Sequence, residues 1–505
     1  MTKSNLVIVY HRQPYEEVVE NGQTTYREHS SPNGIVPTLK SFFGAVEQGA
    51  WIAWKQVDLA KQKKFERVVR ISDSYGQYNV SRLPLTAAQV RSFYHVTSKE
   101  ALWPILHFFP EKYNYDPVNW SEFREVNRMF AEAAAAEAAE GAVVWVHDYN
   151  LWLVPKYLTA IRPDVRVAFF HHTPFPDPSM FNILPWREEI VESLLACDLV
   201  GFHIPRYAAS FVATARSLKD VDIIEEVPVE DSLTPRGVAL SAPVSPTRIG
   251  YQGREIRIDA FPVGANVPYI AELCRTEITR RREESIRHDL NGCRFIVSVG
   301  RSDYTKGTRD MLLTFERLLT RRPELIGKIR LLVTSVTANA GMDVYRGIQR
   351  DIEQIAGRIN GRFGSLSWQP LLLLTKAIPF DELVAHYRCA DICWITPLRD
   401  GLNLVAKEYV AAREDRGGAL VLSEFTGASV ELSNAILTNP YSARAMDAAI
   451  DRALDMPLDE QKARMAAMQR VVEKYDSNHW AKHIIERFEL PVRTHAAVPE
   501  TASPT

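Results

Sequence analysis

Short, continuously apolar runs alternate with amphipathic stretches along nearly the whole chain, and this alternation limits the fold more than any other feature. The runs lie at 6–10, 143–147, 167–171, 199–204, 295–299, 329–335, 371–375, 392–396 and 419–422. Each is shorter than an ordinary helix and apolar at successive positions, which suits a strand buried on both faces. Stretches with helical periodicity come after them at 149–161, 187–196, 207–218, 308–319, 344–357, 381–389, 404–412 and 443–454. A strand followed by a helix returns to the sheet in parallel. The expected class is therefore α/β, with parallel sheets covered by helices.

The pattern falls into two blocks. The first closes near Phe261-Pro262-Val263-Gly264, and the second opens with a charged helix at 267–289. With 505 residues, two or three domains are expected. The predicted division is a first Rossmann-like domain over 1–264 and a second over 265–476. A helix over 477–492 packs back on the first, and 493–505 form a disordered tail. The stretch 219–255 reads as a hairpin or loop insertion before the last strand of the first domain. No repeat of 20–50 residues is visible.

Composition narrows the partners. Lys+Arg 60 against Asp+Glu 62 leaves a net charge of −2, which argues against a nucleic-acid polymer. A local basic patch for a small anion remains compatible with it. A hydrophobic fraction of 46% excludes wholesale disorder. The cysteines, Cys197, Cys274, Cys293, Cys389 and Cys393, are sparse and odd in number, so they do not form a disulfide framework. The first apolar run is too short for a signal peptide, and no run approaches the roughly 20 residues that span a bilayer. The expectation is a soluble cytoplasmic protein with no membrane partner. A homo-oligomer is left open.

In sheets of this kind ligands bind beyond the carboxyl ends of the strands. The chain has no G-x-G-x-x-G after its first strand and no G-x-x-x-x-G-K-[ST], which argues against nicotinamide and P-loop chemistry. Nor does it contain H-E-x-x-H or G-x-S-x-G. The loops after its strands carry other chemistry. Gly300-Arg301-Ser302-Asp303-Tyr304-Thr305-Lys306-Gly307 brings two cations onto one loop, an arrangement that fits a diphosphate. The loop Thr396–Glu408 places Asp400, Gly401, Leu402, Asn403 and Leu404 at a helix start, where backbone N–H groups favour phosphate oxygens. Glu408, further into that helix, suits vicinal ribose hydroxyls. His11-Arg12, His147-Asp148-Tyr149-Asn150 and His171-His172 each come directly after a strand of the first block, which points to a shared cleft.

At these residues the chain resembles the retaining glycosyltransferases that make trehalose 6-phosphate, and their relatives the glucosylglycerol-phosphate synthases. The resemblance runs from about Asn5 to Leu490 and rests on Thr396–Tyr409 together with the H-D-Y and H-x-P-F-P segments. It implies a glycosyltransferase-B fold of two Rossmann-like domains facing a cleft, with no metal or cofactor needed. It also implies roles, residue by residue. Arg301 and Lys306 would hold the donor diphosphate, Asp400 the donor glucose, Glu408 the ribose, and the segment Gly401, Leu402, Asn403 and Leu404 the phosphates. His172 would lie over the donor sugar, and Asp148 would face the acceptor hydroxyls. Arg12, Tyr94 and Trp103 would surround the acceptor phosphate, and Gly34 would sit in a loop closing over the donor.

Two departures from the trehalose pattern bear on the acceptor. The first loop reads Ser31-Pro32-Asn33-Gly34-Ile35 where that family has a Gly-Gly pair. Asn339 stands where an arginine would bind the glucose 6-phosphate phosphate. Losing such a charged hydrogen bond costs about 1.5–3 kcal/mol, enough to change acceptor preference. The stretches 31–43, 147–152 and 186–207 match the glucosylglycerol-phosphate pattern instead. The resemblance thus implies transfer of glucose from ADP-glucose to sn-glycerol 3-phosphate, giving the precursor of a compatible solute made in osmotic stress. Trehalose-6-phosphate synthesis is the alternative. A catalytically silent sugar-nucleotide sensor is the alternative of another class; it would be expected to lack some of Arg301, Lys306, Asp400 and Glu408, and all four are present.

Overall fold

The computed structural model describes residues 3–20, 23–28, 34–44, 46, 48–230, 237–337 and 342–489. The strands of the first half are β1 (Ser4–Val9), β2 (Glu16–Glu20), β3 (Gln23–Arg27), β4 (Gly49–Gln56), β5 (Val68–Asp73) and β6 (Gly76–Leu85). They continue with β7 (Ala138–His147), β8 (Arg166–His171), β9 (Leu199–Phe202), β10 (Asp222–Pro228), β11 (Val244–Tyr251) and β12 (Arg254–Ala260). The second half adds β13 (Arg294–Ser302), β14 (Ile329–Thr337), β15 (Leu371–Leu374), β16 (Ile392–Ile395), β17 (Ala419–Ser423) and β18 (Ile436–Thr438).

The first sheet runs β10-β11-β12-β9-β8-β7-β1-β4-β6-β5, and the second runs β15-β14-β13-β16-β17-β18. The second is parallel throughout. From β13 the chain moves outward through β14 and β15, then returns to the other side of β13 for β16, β17 and β18. That is the doubly wound order, with its switch point between β13 and β16. The first sheet repeats the scheme around β1. The strands β4 and β6 lie to one side and β7, β8, β9 and β12 to the other, with β1 pairing β4 and β7 in parallel. Its switch point lies between β1 and β7. Antiparallel strands occur at its edges, where β5 pairs β6 and the β10–β11–β12 meander extends the sheet. The region expected as a loop or hairpin insertion therefore forms a sheet edge.

Fully apolar strands bury both faces. Val7, Val9, Val144 and Val146 face one layer, and Leu6, Ile8, Val143 and Trp145 face the other. The helix Ser477–Phe488 supplies Trp480, Ile484 and Phe488 to that second layer of the first sheet, with Trp480 stacked on Trp145 at 5.2 Å between ring centroids. Its outer side is tied by His483 Nε2 to Asp259 Oδ2 at 2.8 Å. The chain thus passes between the two halves twice, and the crossings touch: the Ser477 N–H donates to the Ala265 carbonyl at 3.0 Å. Among the described residues no helix is long and apolar enough to cross a membrane.

One helix expected over 149–161 is broken. A short turn at Tyr149–Leu151 precedes a helix at Val154–Ile161, which starts with Pro155 in its first turn, where the missing N–H costs nothing.

Candidate active site

A cavity of about 550 Å3 lies between the carboxyl ends of the two sheets. Both switch points open into it. Arg12 comes after β1 and Asp148 after β7; Arg301 ends β13 and Asp400 comes after β16. Of the residues singled out from the sequence, Arg12, Gly34, Tyr94, Trp103, Asp148, His172, Arg301, Lys306, Asp400, Gly401, Leu402, Asn403, Leu404 and Glu408 all line this one cavity. Asn339 lies outside the described residues.

The second-domain wall is built from two loops pressed together. Asp303 caps the turn Tyr304–Lys306, its carboxylate accepting from the Thr305 N–H at 2.9 Å. The Thr305 carbonyl then accepts from the Leu398 N–H at 2.7 Å, which joins this loop to the one after β16. Gly307 comes next at φ 64°, and a Cβ there would stand 2.3 Å from the Thr396 carbonyl oxygen. Only glycine fits that approach. The result is an ion pair of 2.7 Å between Lys306 Nζ and Asp400 Oδ2. Asn403 Nδ2 donates to the same carboxylate oxygen at 3.1 Å. Burial alone would raise the Asp400 carboxyl; Lys306 and Asn403 outweigh it and hold the group below its ordinary range.

Asn403 sits at φ 77° and caps the helix Leu404–Ala412, its side-chain oxygen accepting from the Ala406 N–H at 3.1 Å. Leu404 and Val405 line the cavity at this helix start, where backbone N–H groups favour an anion. Glu408 is buried on the same helix and accepts from the Tyr387 hydroxyl at 3.3 Å. Arg301 makes no ion pair among the described residues, so its guanidinium stands ready for a ligand anion.

The first-domain wall is a histidine-rich surface. Asp148 has φ 72°, unusual for a residue with a Cβ. Its N–H donates to the Phe170 carbonyl at 2.9 Å, and its carboxylate accepts from the Tyr149 N–H at 3.0 Å. Both contacts hold the side chain toward the cavity. Burial pushes its carboxyl up to about 6, against two backbone hydrogen bonds and the pull of Lys99 and Arg12. His172 Nε2 lies 3.1 Å from His147 Nδ1, so one ring donates and the other accepts. Burial, and then the neighbouring histidines, depress His172 well below the ordinary value. The charged form is disfavoured there, which suits the imidazole to hydrogen bonding.

Tyr94 and Trp103 reach the cavity from a continuous helical segment over 87–106 whose middle, Arg91–Leu102, is π-helical. At about 3.6 residues per turn, positions nine apart point to opposite faces. The wider i→i+5 turn brings such positions back toward one side. That register explains how Tyr94 and Trp103 share a wall, and why helical periodicity did not reveal the segment. Burial would raise the Tyr94 phenol, but Lys99, Arg12 and Arg301 together draw it below 10.0. Three cations therefore converge at this end.

The sequence reading missed Lys99, His107 and His203, which also line the cavity. His203 comes directly after β9, so the carboxyl-end rule that found His172 would have found it. The other two lie on the π-helical segment or just after it and carry no such signal.

Among known proteins, the model of glycosyltransferase family 20 matches residues 4–490. A glucosylglycerol-phosphate synthase from Synechocystis is 55% identical over 95% of this chain and 97% of its own length. A second, from Picosynechococcus, is 53% identical over 95% of this chain and 96% of its own length. A trehalose-phosphate synthase structure from Burkholderia xenovorans, in complex with glucose-6-phosphate, superposes with a TM-score of 0.81 at 29% identity, covering 96% of this chain and 99% of that one. The two facing Rossmann-like domains are those of the glycosyltransferase-B fold, and the chain is an enzyme that belongs to glycosyltransferase family 20.

Proposed function

We propose that this chain is a glucosylglycerol-phosphate synthase. It would transfer glucose from ADP-glucose to sn-glycerol 3-phosphate with retention, in the cytoplasm, for solute synthesis under osmotic stress. The observation that carries the reading is the pairing of two differently equipped walls across one cavity. Arg301, Lys306 and the helix start near Asn403 form an anion site of diphosphate type. Arg12, Tyr94 and Trp103 form a second cationic and aromatic site opposite it. The relatives at 55% and 53% identity bear this name, whereas relatives named trehalose-6-phosphate synthase stand at 39% and 37%.

A retaining hydrolase would set two carboxyl groups about 5–5.5 Å apart around the sugar, one as nucleophile. Here Asp400 is committed to Lys306 and Asn403, and Asp148 sits in the other wall. The chemistry we propose is front-face attack. The acceptor hydroxyl enters on the side from which the diphosphate leaves, and a diphosphate oxygen takes its proton. Arg301, Lys306 and the helix N–H groups meet the charge that develops on the leaving group, so no metal or cofactor is required. Asp148 accepts from an acceptor hydroxyl and orients it, and neutral His172 hydrogen-bonds the donor sugar. Excluding water from the closed cavity favours transfer over hydrolysis.

The test is a matrix of ADP-, UDP- and GDP-glucose against glycerol 3-phosphate and glucose 6-phosphate, with product stereochemistry read by NMR. The expected maximum is ADP-glucose with glycerol 3-phosphate. A maximum with glucose 6-phosphate would make the chain a trehalose-6-phosphate synthase. No transfer from any donor would leave the sugar-nucleotide sensor.

A further inference from the structure

Lys99 is the cation of this cavity that the roles above leave unused. Lys306 is neutralised inside the protein by Asp400. Lys99 has no carboxylate or hydrogen-bond partner among the described residues. Its Nζ lies 3.8 Å from the Trp103 ring centroid, 5.6 Å from Tyr94 and 5.7 Å from Tyr149. Such a contact holds a cation in place without cancelling its charge. Burial pushes the ammonium below its ordinary value; Arg301 and Arg12 push the same way, against Tyr94 and Asp303. None of these three cations makes an ion pair among the described residues, Asp148 and Asp303 acting on them only from a distance, so a ligand anion would relieve their mutual repulsion.

The reaction brings two anions. Arg301 ends the strand beside the diphosphate site, in the second domain. Lys99 belongs to the first domain and flanks Trp103 on the π-helical segment. It also lines an adjoining cavity of about 420 Å3, so its side chain forms part of the wall between that space and the main one. Its position beside Trp103 and Tyr94 places it at the acceptor side of the main cavity, within reach of a phosphate monoester.

We propose that Lys99 binds the phosphate of the acceptor, together with Arg12, and so determines the preference for a small phosphorylated acceptor. This rests on the glucosylglycerol-phosphate reading.

The experiment compares the wild type with Lys99→Met and Lys99→Arg, using glycerol 3-phosphate and unphosphorylated glycerol as acceptors at saturating ADP-glucose. Lys99→Met should raise the KM for glycerol 3-phosphate by about 10-fold or more. The KM for ADP-glucose and the slow rate with glycerol should stay within about twofold, because neither involves the phosphate contact. Lys99→Arg should recover part of the loss. An unchanged KM for glycerol 3-phosphate, or an equal fall with both acceptors, overturns the proposal. Should Lys99→Met fail to fold, inorganic phosphate is titrated as a competitor of the acceptor on Lys99→Arg and the wild type. A weakened competition supports the role, and an unaltered one refutes it. A wild type that uses glucose 6-phosphate and not glycerol 3-phosphate refutes the functional reading instead. The variants are then read with glucose 6-phosphate, where a raised KM still supports Lys99 and an unchanged one removes it.

Discussion

Lys306 Nζ and Asp400 Oδ2, 2.7 Å apart, join the loop after β13 to the loop after β16 at the switch point of the second sheet. The pair has two consequences that substitutions can separate. Lys306→Ala removes a donor from the diphosphate site and should lower turnover by at least about 100-fold. It also strands a mostly buried carboxylate, at a cost of about 1–3 kcal/mol. The double variant Lys306→Met/Asp400→Asn removes the stranded charge, so it should regain most of the lost thermal stability and none of the turnover. Thermal unfolding and initial rates decide this. Turnover within threefold of wild type in Lys306→Ala would remove the lysine from the diphosphate site.

Asp148 should write itself into the pH profile. Its carboxyl is pushed up to about 6 in the folded chain, from roughly 3.9 when unfolded. The folded state therefore holds the proton more tightly. The stability from this group is complete below about pH 4 and is lost as pH rises through about 6. Activity has the opposite sign, because orienting an acceptor hydroxyl needs the ionised carboxylate. The rate should fall on the acid side with a midpoint near pH 6. In Asp148→Asn that limb should vanish and the remaining rate should be low. A limb that survives the substitution belongs to the acceptor phosphate, whose own second ionisation lies near 6.

Burial decides which parts of the molecule were legible in the sequence. The strand β16, positions 6–9 of β1 and positions 167–170 of β8 are continuously apolar because both their faces are buried. Their carboxyl ends gave Arg12, Asp148, His172, Arg301 and Asp400 by rule. The edge of the first sheet was not legible. In β6, Arg82 and Pro84 break the apolar pattern; Arg82 is buried because Glu17 of the separate β2–β3 hairpin pairs with it at 3.0 Å, the Glu66 carbonyl accepts from it and the Phe65 ring lies against it at 4.6 Å. The strand β18 is three residues long and carries too little pattern to see. Lys99 stayed hidden because a 3.6-residue period does not describe the π-helical segment that presents it.

Glu408 gives a prediction about the donor alone. Its carboxylate is buried at the second-domain end of the cavity, away from the acceptor side chains of the first domain. Glu408→Gln keeps the shape and one acceptor oxygen but loses the charge. The KM for ADP-glucose should rise about 10-fold or more, the range of a lost charged hydrogen bond. The KM for glycerol 3-phosphate should stay within twofold. A shift in the acceptor constant and not in the donor constant would show that Glu408 does not hold the ribose.

Gly401 tests whether contact between the domains governs the rate. A Cβ at this position would stand 2.3 Å from the His172 carbonyl oxygen and 3.1 Å from Thr173 backbone carbon. Both neighbours are backbone, so no side-chain rotation relieves the overlap, and Gly401→Ala must push the loop after β16 away from the loop after β8. The same movement disturbs the hydrogen bond of 3.2 Å from the Tyr207 hydroxyl to the Asp400 carbonyl. The overlap is with loop backbone beside the buried Leu402, so the loss of stability should be the roughly 1–3 kcal/mol typical of overpacking. The loss of rate should be larger, because a displacement near 1 Å between reacting groups costs about 100-fold. Water should also enter, raising donor hydrolysis relative to transfer. Gly357→Ala, in the helix Asp343–Phe363 with open space around the new methyl, is the control and should match wild type in rate. Initial rates of transfer and hydrolysis on the two variants decide the matter: equal transfer-to-hydrolysis ratios would show that the approach of Gly401 to His172 does not seal the cavity.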